Sequence, residues 1–262
     1  MKNIKLLMII CTFISVKVLA LSPYENRLMV EEKQRIGLIA FAEPNQVNAI
    51  KKLAKQLTTD TASADALANN AIINLSLYVR DLNDKSVVFA YFESPNKSIT
   101  GWEKRLGKSS TLLKALNTKL HPHSRAPKGE KWLRMEWMNH IASDSVFPYE
   151  GKKIQKMGLM SGLKPETELT YRQLHQLNWP AVVDGMVRSN YRNWTTFMIE
   201  VADKLYLFTY SEYIGDNIKA DNALMAADPT TQRWWQHTEP CLINLHGEGN
   251  WSLMSPLSEV TK

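Results

Sequence analysis

Apolar and polar positions change period several times along the second half of the chain, and each change marks an element. Lys156 to Leu163 is a short apolar run that reads as a strand. Pro165 to Arg188 spaces its apolar residues by three and four and reads as a helix, with Leu169, Leu177, Val183 and Val187 as packing positions. Asn193 to Val201 and Lys204 to Ile214 form a hairpin of two strands, and Asn217 to His237 is a second helix interrupted at Asp228-Pro229. Cys241 to Leu245 remains for a last strand. The first half repeats the order: Arg35 to Phe41, Pro44 to Asn70, Ile72 to Arg80, Lys85 to Glu93, and Trp132 to Ile141 in the place of the second helix.

A β-α-β-β-α-β order is the ferredoxin-like arrangement, with helices on one face of an antiparallel sheet. The chain is therefore expected to be α+β, with tandem ferredoxin-like units over residues 30–146 and 154–246. Single residues set the register of the repeat: Pro44 answers Pro165, Leu53 answers Leu174, Asn74 answers Asn193, Asp84-Lys85 answers Asp203-Lys204, and Glu93 answers Glu212. Both faces of the strand from Asn193 mix aromatic and polar residues, which a simply solvated face does not explain. Helices on one side and the other unit's sheet on the other would explain it, giving a pseudo-dimeric α/β barrel by intramolecular pairing. Residues 94–130, rich in Pro and Gly, read as an insertion forming a surface loop or short helix, and Phe147 to Lys153 as the linker.

The N-terminus changes the meaning of the charge. Met1-Lys2-Asn3-Ile4-Lys5, an apolar stretch from Leu6 to Ile14, and Val18-Leu19-Ala20 read as a secretory signal peptide cleaved after Ala20, which places the mature chain outside the cytoplasm or in the periplasm. Lys2, Lys5 and Lys17 leave with it and no acid does, so the formal net charge falls from +6 to +3. That surplus, without a dense basic cluster, argues against nucleic acid or an anionic membrane as partner. Cys241 is then the only cysteine, which excludes an intrachain disulfide.

The candidate chemistry lies between residues 157 and 245. In the helix from Pro165, Tyr171, His175 and Asn178 or Trp179 share one stripe, because three and four are the helical neighbour spacings. Pro180 removes a backbone donor and is expected to kink or restart the helix just past the histidine. Imidazole gives or accepts a proton near neutral pH. Trp234-Trp235 places two indoles about 100° apart on a helix, suited to the apolar faces of a pyranose, and Gln232 or Arg233 could reach sugar hydroxyls. His121-Pro122-His123 lacks accompanying ligands for a metal, Gly247-Glu248-Gly249 lacks the context of a phosphate loop, and no Gly-x-Ser-x-Gly elbow or nucleotide motif occurs.

Taken in order, Tyr171-x-x-x-His175, Trp179-Pro180, Asn193-Trp194 and Gln232-Arg233-Trp234-Trp235 resemble the L-rhamnose mutarotase family over about 90 residues. The resemblance implies a cofactor-independent interconversion of α and β anomers of a 6-deoxy sugar. In that picture His175 is the proton donor, Tyr171, Trp194 and Asn193 contact the monosaccharide, and Trp234 and Trp235 form a stacking wall. Trp194 stands where the family usually has a tyrosine. In the first half Ile50, Ala54 and Trp132-Leu133 fall at the places of Tyr171, His175 and the paired tryptophans, so that half is expected to be degenerate. A secreted sugar- or ligand-binding module on the same scaffold is the competing reading.

Overall fold

The computed structural model describes residues 33–95, 101–144 and 146–259. The expected signal peptide lies outside them. Eleven strands are found among the described residues: β1 Gln34–Ala42, β2 Ile73–Leu82, β3 Lys85–Ser94, β4 Leu133–Arg134, β5 Glu136–Ile141, β6 Gln155–Leu163, β7 Tyr191–Val201, β8 Lys204–Tyr213, β9 Leu242–Ile243, β10 Ser252–Leu253 and β11 Ser255–Glu259. Eight α-helices accompany them: α1 Val47–Leu57, α2 Thr61–Asn69, α3 Trp102–Ser109, α4 Thr111–Thr118, α5 Glu168–Gln176, α6 Pro180–Arg188, α7 Ile218–Ala227 and α8 Pro229–Thr238. No described helix is long and apolar enough to cross a membrane.

The strands form two antiparallel sheets, ordered β11-β2-β3-β1-β4 and β10-β6-β8-β7-β5, with β9 also on β6. Each sheet borrows a strand from the other half of the sequence: β5 pairs with β7, and β11 with β2. Alternate residues of each central strand face opposite layers. Ile36, Leu38 and Ala40 of β1 pack toward α1 to α4, whereas Ile39 and Phe41 join Phe89, Tyr91, Phe197, Phe208 and Tyr210 in a core between the sheets. Strands covered on both faces read as near-continuous apolar runs, which is why β3 and β8 show mixed aromatic faces in sequence.

The contact between the sheets follows a pseudo-twofold pattern. The rings of Tyr91 and Tyr210 stack at 3.7 Å and 4°. Gly37 of β1 lies under the ring of Phe197, and Gly158 of β6 under that of Tyr78, so each sheet presses a ring onto a glycine of the other. Asn74 and Asn193, equated in the sequence, both adopt left-handed backbone at φ 57° and 48° where the ladders slip by a bulge. Asn74 Nδ2 donates to Glu93 and Glu212, and Asn193 Nδ2 donates to Glu212 at 2.9 Å. Both carboxylates are buried, and amide donors inside the barrel offset part of their desolvation.

Three expectations are corrected. Within residues 94–130, expected as a surface loop or short helix, the described part contains two short helices that are packed and not superficial: α3 and α4 bury Trp102, Leu106 and Leu116 in the first core and supply the second helical segment of that half. Trp132–Ile141 is accordingly strand and not helix, crossing from β4 on one sheet to β5 on the other. The helix from Pro165 restarts at Pro180, as expected, but the break at Leu177–Trp179 shifts its apolar register. Leu169 and Leu177 are exposed, and Val182 and Met186 are the buried positions of α6.

Candidate active site

Between the second sheet and its helices lies a cavity of about 630 Å³, within the size range of small-molecule sites. The corresponding region of the first half holds only about 40 Å³ among Trp102, Leu106, Leu116 and Trp132. There Ile50 and Ala54, at the places of Tyr171 and His175, are buried in packed core. The difference is one of side-chain volume: indoles and aliphatics fill the first half, whereas the second keeps its aromatics along the walls.

Helices and strands of the second half converge on the larger cavity. The short helix α5 presents Tyr171 and His175 one turn apart, and their rings stack at 4.0 Å. Pro180 starts α6 after a three-residue break, and Trp179 in that break packs edge-on against Trp234 at 5.4 Å. Asp228 caps α8 by accepting from the Thr231 amide at 2.8 Å, which orients Trp234 onto His175 at 5.4 Å. Trp235, half-buried, lines the cavity beside it. On the sheet side Trp194 of β7 meets Tyr191 and Trp251 edge-on. Met157, Met186 and Met225 complete an apolar wall, and the polar lining includes Asn139, Asn178, Asn222 and Asn250.

The geometry fixes the protonation of His175. Its Nδ1 lies 2.9 Å from the carbonyl oxygen of Tyr171. A carbonyl only accepts, so Nδ1 carries the hydrogen and Nε2 keeps a lone pair. Burial lowers the imidazole pKa to about 4, partly offset by that bond, and the ring is neutral at pH 7. Tyr171 is buried and its pKa is raised, first by burial and then by Cys241, so it stays a phenol. A neutral base and a neutral phenol, side by side in an aromatic pocket, can exchange protons with a bound hydroxyl.

Five of the six sequence-derived site residues, Tyr171, His175, Trp194, Trp234 and Trp235, line this cavity. Asn193 does not: on the strand face it shares with Phe197 it lies in the space between the sheets, where Glu212, Tyr149 and Arg35 hold it. Gln232 bonds the Ala226 carbonyl, and Arg233 stacks over Trp179 at 5.6 Å, so neither lines the cavity. Asn139 and Trp251 escape sequence reasoning. Asn139 arrives on the strand exchanged from the first half, and Trp251 lies past the last expected element. Among the described residues no group of three or more His, Cys, Asp or Glu could hold a metal ion. His123 is instead buried, its Nε2 donating to the Glu200 carbonyl at 2.8 Å.

Comparison with known proteins agrees with the family suggested by the motifs. The model of the L-rhamnose mutarotase family matches residues 156–260, the C-terminal part of the chain. No curated protein matches in sequence. Among solved structures the chain is similar to a proposed monooxygenase from Lactobacillus acidophilus NCFM, at 11% identity and TM-score 0.50, covering 87% of this chain and 96% of that one. It is equally similar to a proposed monooxygenase from Fusobacterium nucleatum subsp. nucleatum ATCC 25586, at 10% identity and TM-score 0.50, over 89% and 96%. Likeness at such identity concerns the fold: mixed α/β, with curled antiparallel sheets of the dimeric α/β-barrel class.

Proposed function

We propose that this chain interconverts the α and β anomers of a 6-deoxy monosaccharide such as L-rhamnose, by acid/base ring opening and closure in the cavity around His175. The observation that carries the reading is the Nδ1–H bond of His175 to the Tyr171 carbonyl, which leaves Nε2 as a base inside the segment that matches the mutarotase family. Nε2 takes the proton of the anomeric hydroxyl as the bond from C1 to the ring oxygen breaks. The electron pair of that bond passes to the ring oxygen, which takes a proton from Tyr171 or a water. Rotation about C1–C2 presents the other face of the new carbonyl, and closure reverses both transfers. His175 therefore acts first as base and donates on closure, a reordering of the donor role expected from resemblance.

Trp234, Trp235, Trp194 and Trp251 give the sugar apolar faces to stack on, with Tyr171 as a hydroxyl contact. Proton transfers of this kind contribute on the order of a hundred- to ten-thousand-fold. The same reading takes residues 30–146 as a degenerate ferredoxin-like repeat paired with the active one at 154–246, so that one chain does the work of a dimer. The matched bonds of Asn74 to Glu93 and of Asn193 to Glu212, and the filled first-half cavity, support it. The test is α-to-β exchange of L-rhamnose and L-fucose with and without His175: binding that survives in a chain without catalysis would mark a ligand-binding module.

A further inference from the structure

We propose that Asn139, from the first half of the chain, completes the sugar site by hydrogen-bonding a ligand hydroxyl; the assignment rests on the mutarotase reading above. Asn139 lies outside the segment that matches the family model, on β5, the strand exchanged into the second sheet. Its orientation comes from a bulge. Trp137 pairs with Phe197, but the next paired residue is Asn139, opposite Thr196. An uninterrupted ladder would put Met138 opposite Thr196 and turn Asn139 toward the space between the sheets. The extra residue reverses this alternation, so Asn139 and Ile141 line the cavity while His140 bonds Thr195 at 2.8 Å.

The amide is under-satisfied where it stands. Asn139 is 3% exposed, and its Oδ1 has no hydrogen-bond partner. Its Nδ2 donates to Asn178 Oδ1 at 3.4 Å, a long and weak bond. A buried acceptor without a partner has lost its hydration with nothing in exchange. The terminal torsion of an amide is soft, so a small rotation trades the weak bond to Asn178 for ordinary bonds to a hydroxyl in the cavity. A hydroxyl both donates and accepts, and suits either atom of the amide. The chemistry recognised is therefore a ring hydroxyl set among aromatic faces, and the specificity of the C-terminal site depends in part on the N-terminal half.

The test compares the unmodified chain with Asn139→Leu, which keeps the branching at Cγ and removes both polar atoms, the added bulk of its methyl groups facing the cavity. Exchange NMR with L-rhamnose and L-fucose gives kcat and KM, and thermal unfolding with and without sugar gives stability and the ligand-induced shift. The expected result is a KM raised roughly 3- to 10-fold with kcat within about 2-fold, as for a lost neutral hydrogen bond in uniform binding. The free variant should unfold at the same or a higher temperature, because an orphaned acceptor is gone, while its stabilisation by sugar shrinks. A merely structural asparagine would do the opposite, lowering the unfolding temperature and leaving KM alone. Unchanged KM in the variant, beside an active unmodified chain, overturns the assignment by itself. An unmodified chain that exchanges neither sugar overturns the mutarotase reading, and the assignment falls with it.

Discussion

Gly37→Ala tests how tightly the two sheets are pressed together. A Cβ at this position would stand 2.6 to 2.8 Å from three atoms of the Phe197 ring, where carbon atoms prefer about 3.5–4.0 Å. The ring would have to retreat by roughly 1 Å to restore an ordinary contact. It has little room to do so: Phe197 packs against Phe89 at 6.2 Å and Tyr91 at 6.3 Å between centroids, and it is 1% exposed. Overpacking of this kind costs about 1–3 kcal/mol. For a chain of this size each kcal/mol lowers the unfolding temperature by about 2–4 °C, so the expected fall is about 2–12 °C. Circular dichroism melts of Gly37→Ala, Phe197→Leu and the double variant measure it. A smaller side chain at 197 makes room for the methyl group, so the double variant should lose less than the sum of the two single losses. Gly107→Ala is the control: its Cβ would meet Lys114 at 3.7 Å, inside helix α3, and should stabilise by about 0.5–1 kcal/mol. A Gly37→Ala melt equal to that of the unmodified chain would refute the ring-on-glycine contact between the sheets.

Three further outcomes follow from the site and its neighbours. His175, His140 and His123 all have pKa values held below the ordinary histidine value, first by burial. The unfolded chain therefore takes up protons at them near pH 6.5 while the folded chain resists. Stability should fall as pH drops from about 6.5 toward 4, with His175 alone contributing on the order of 3 kcal/mol to the loss; a melting temperature flat across that window would contradict the neutral, buried rings. The anomer-exchange rate should be level above about pH 5 and halve near 4, where Nε2 becomes protonated; a midpoint near 6.5 would place the catalytic imidazole in water. Asn193→Ala should destabilise by about 1–3 kcal/mol without altering KM, because it removes a donor to the buried Glu212 and strains a left-handed backbone position; a KM effect beside an unchanged melt would return Asn193 to the site.

Much of the architecture was legible because the strands are long, both their faces are covered, and prolines mark the helix starts at Pro165, Pro180 and Pro229. Tyr171 and His175 were legible as a pair because four residues is one helical turn. What escaped depends on non-local pairing. Asn193 and Trp194 fall on opposite faces by strand alternation alone, and what the sequence does not give is which face meets the cavity: the structure puts Trp194 on it and Asn193 against Glu212 and Arg35 between the sheets. Asn139 enters the cavity through strand exchange and a bulge, and nothing in the local sequence W-M-N-H-I announces either. Proline and glycine in residues 94–130 point to a surface loop or short helix, while the apolar spacing of Trp102, Leu106, Leu113 and Leu116 carries two helices packed on the first core.

The most direct measurement is exchange NMR on equilibrated L-rhamnose with the purified chain, beside His175→Ala. Faster α-to-β interconversion is expected with the unmodified chain, and its loss in the variant while quenching of tryptophan fluorescence by the sugar persists. Interconversion at the uncatalysed rate with both proteins, or equal acceleration by both, would contradict that expectation.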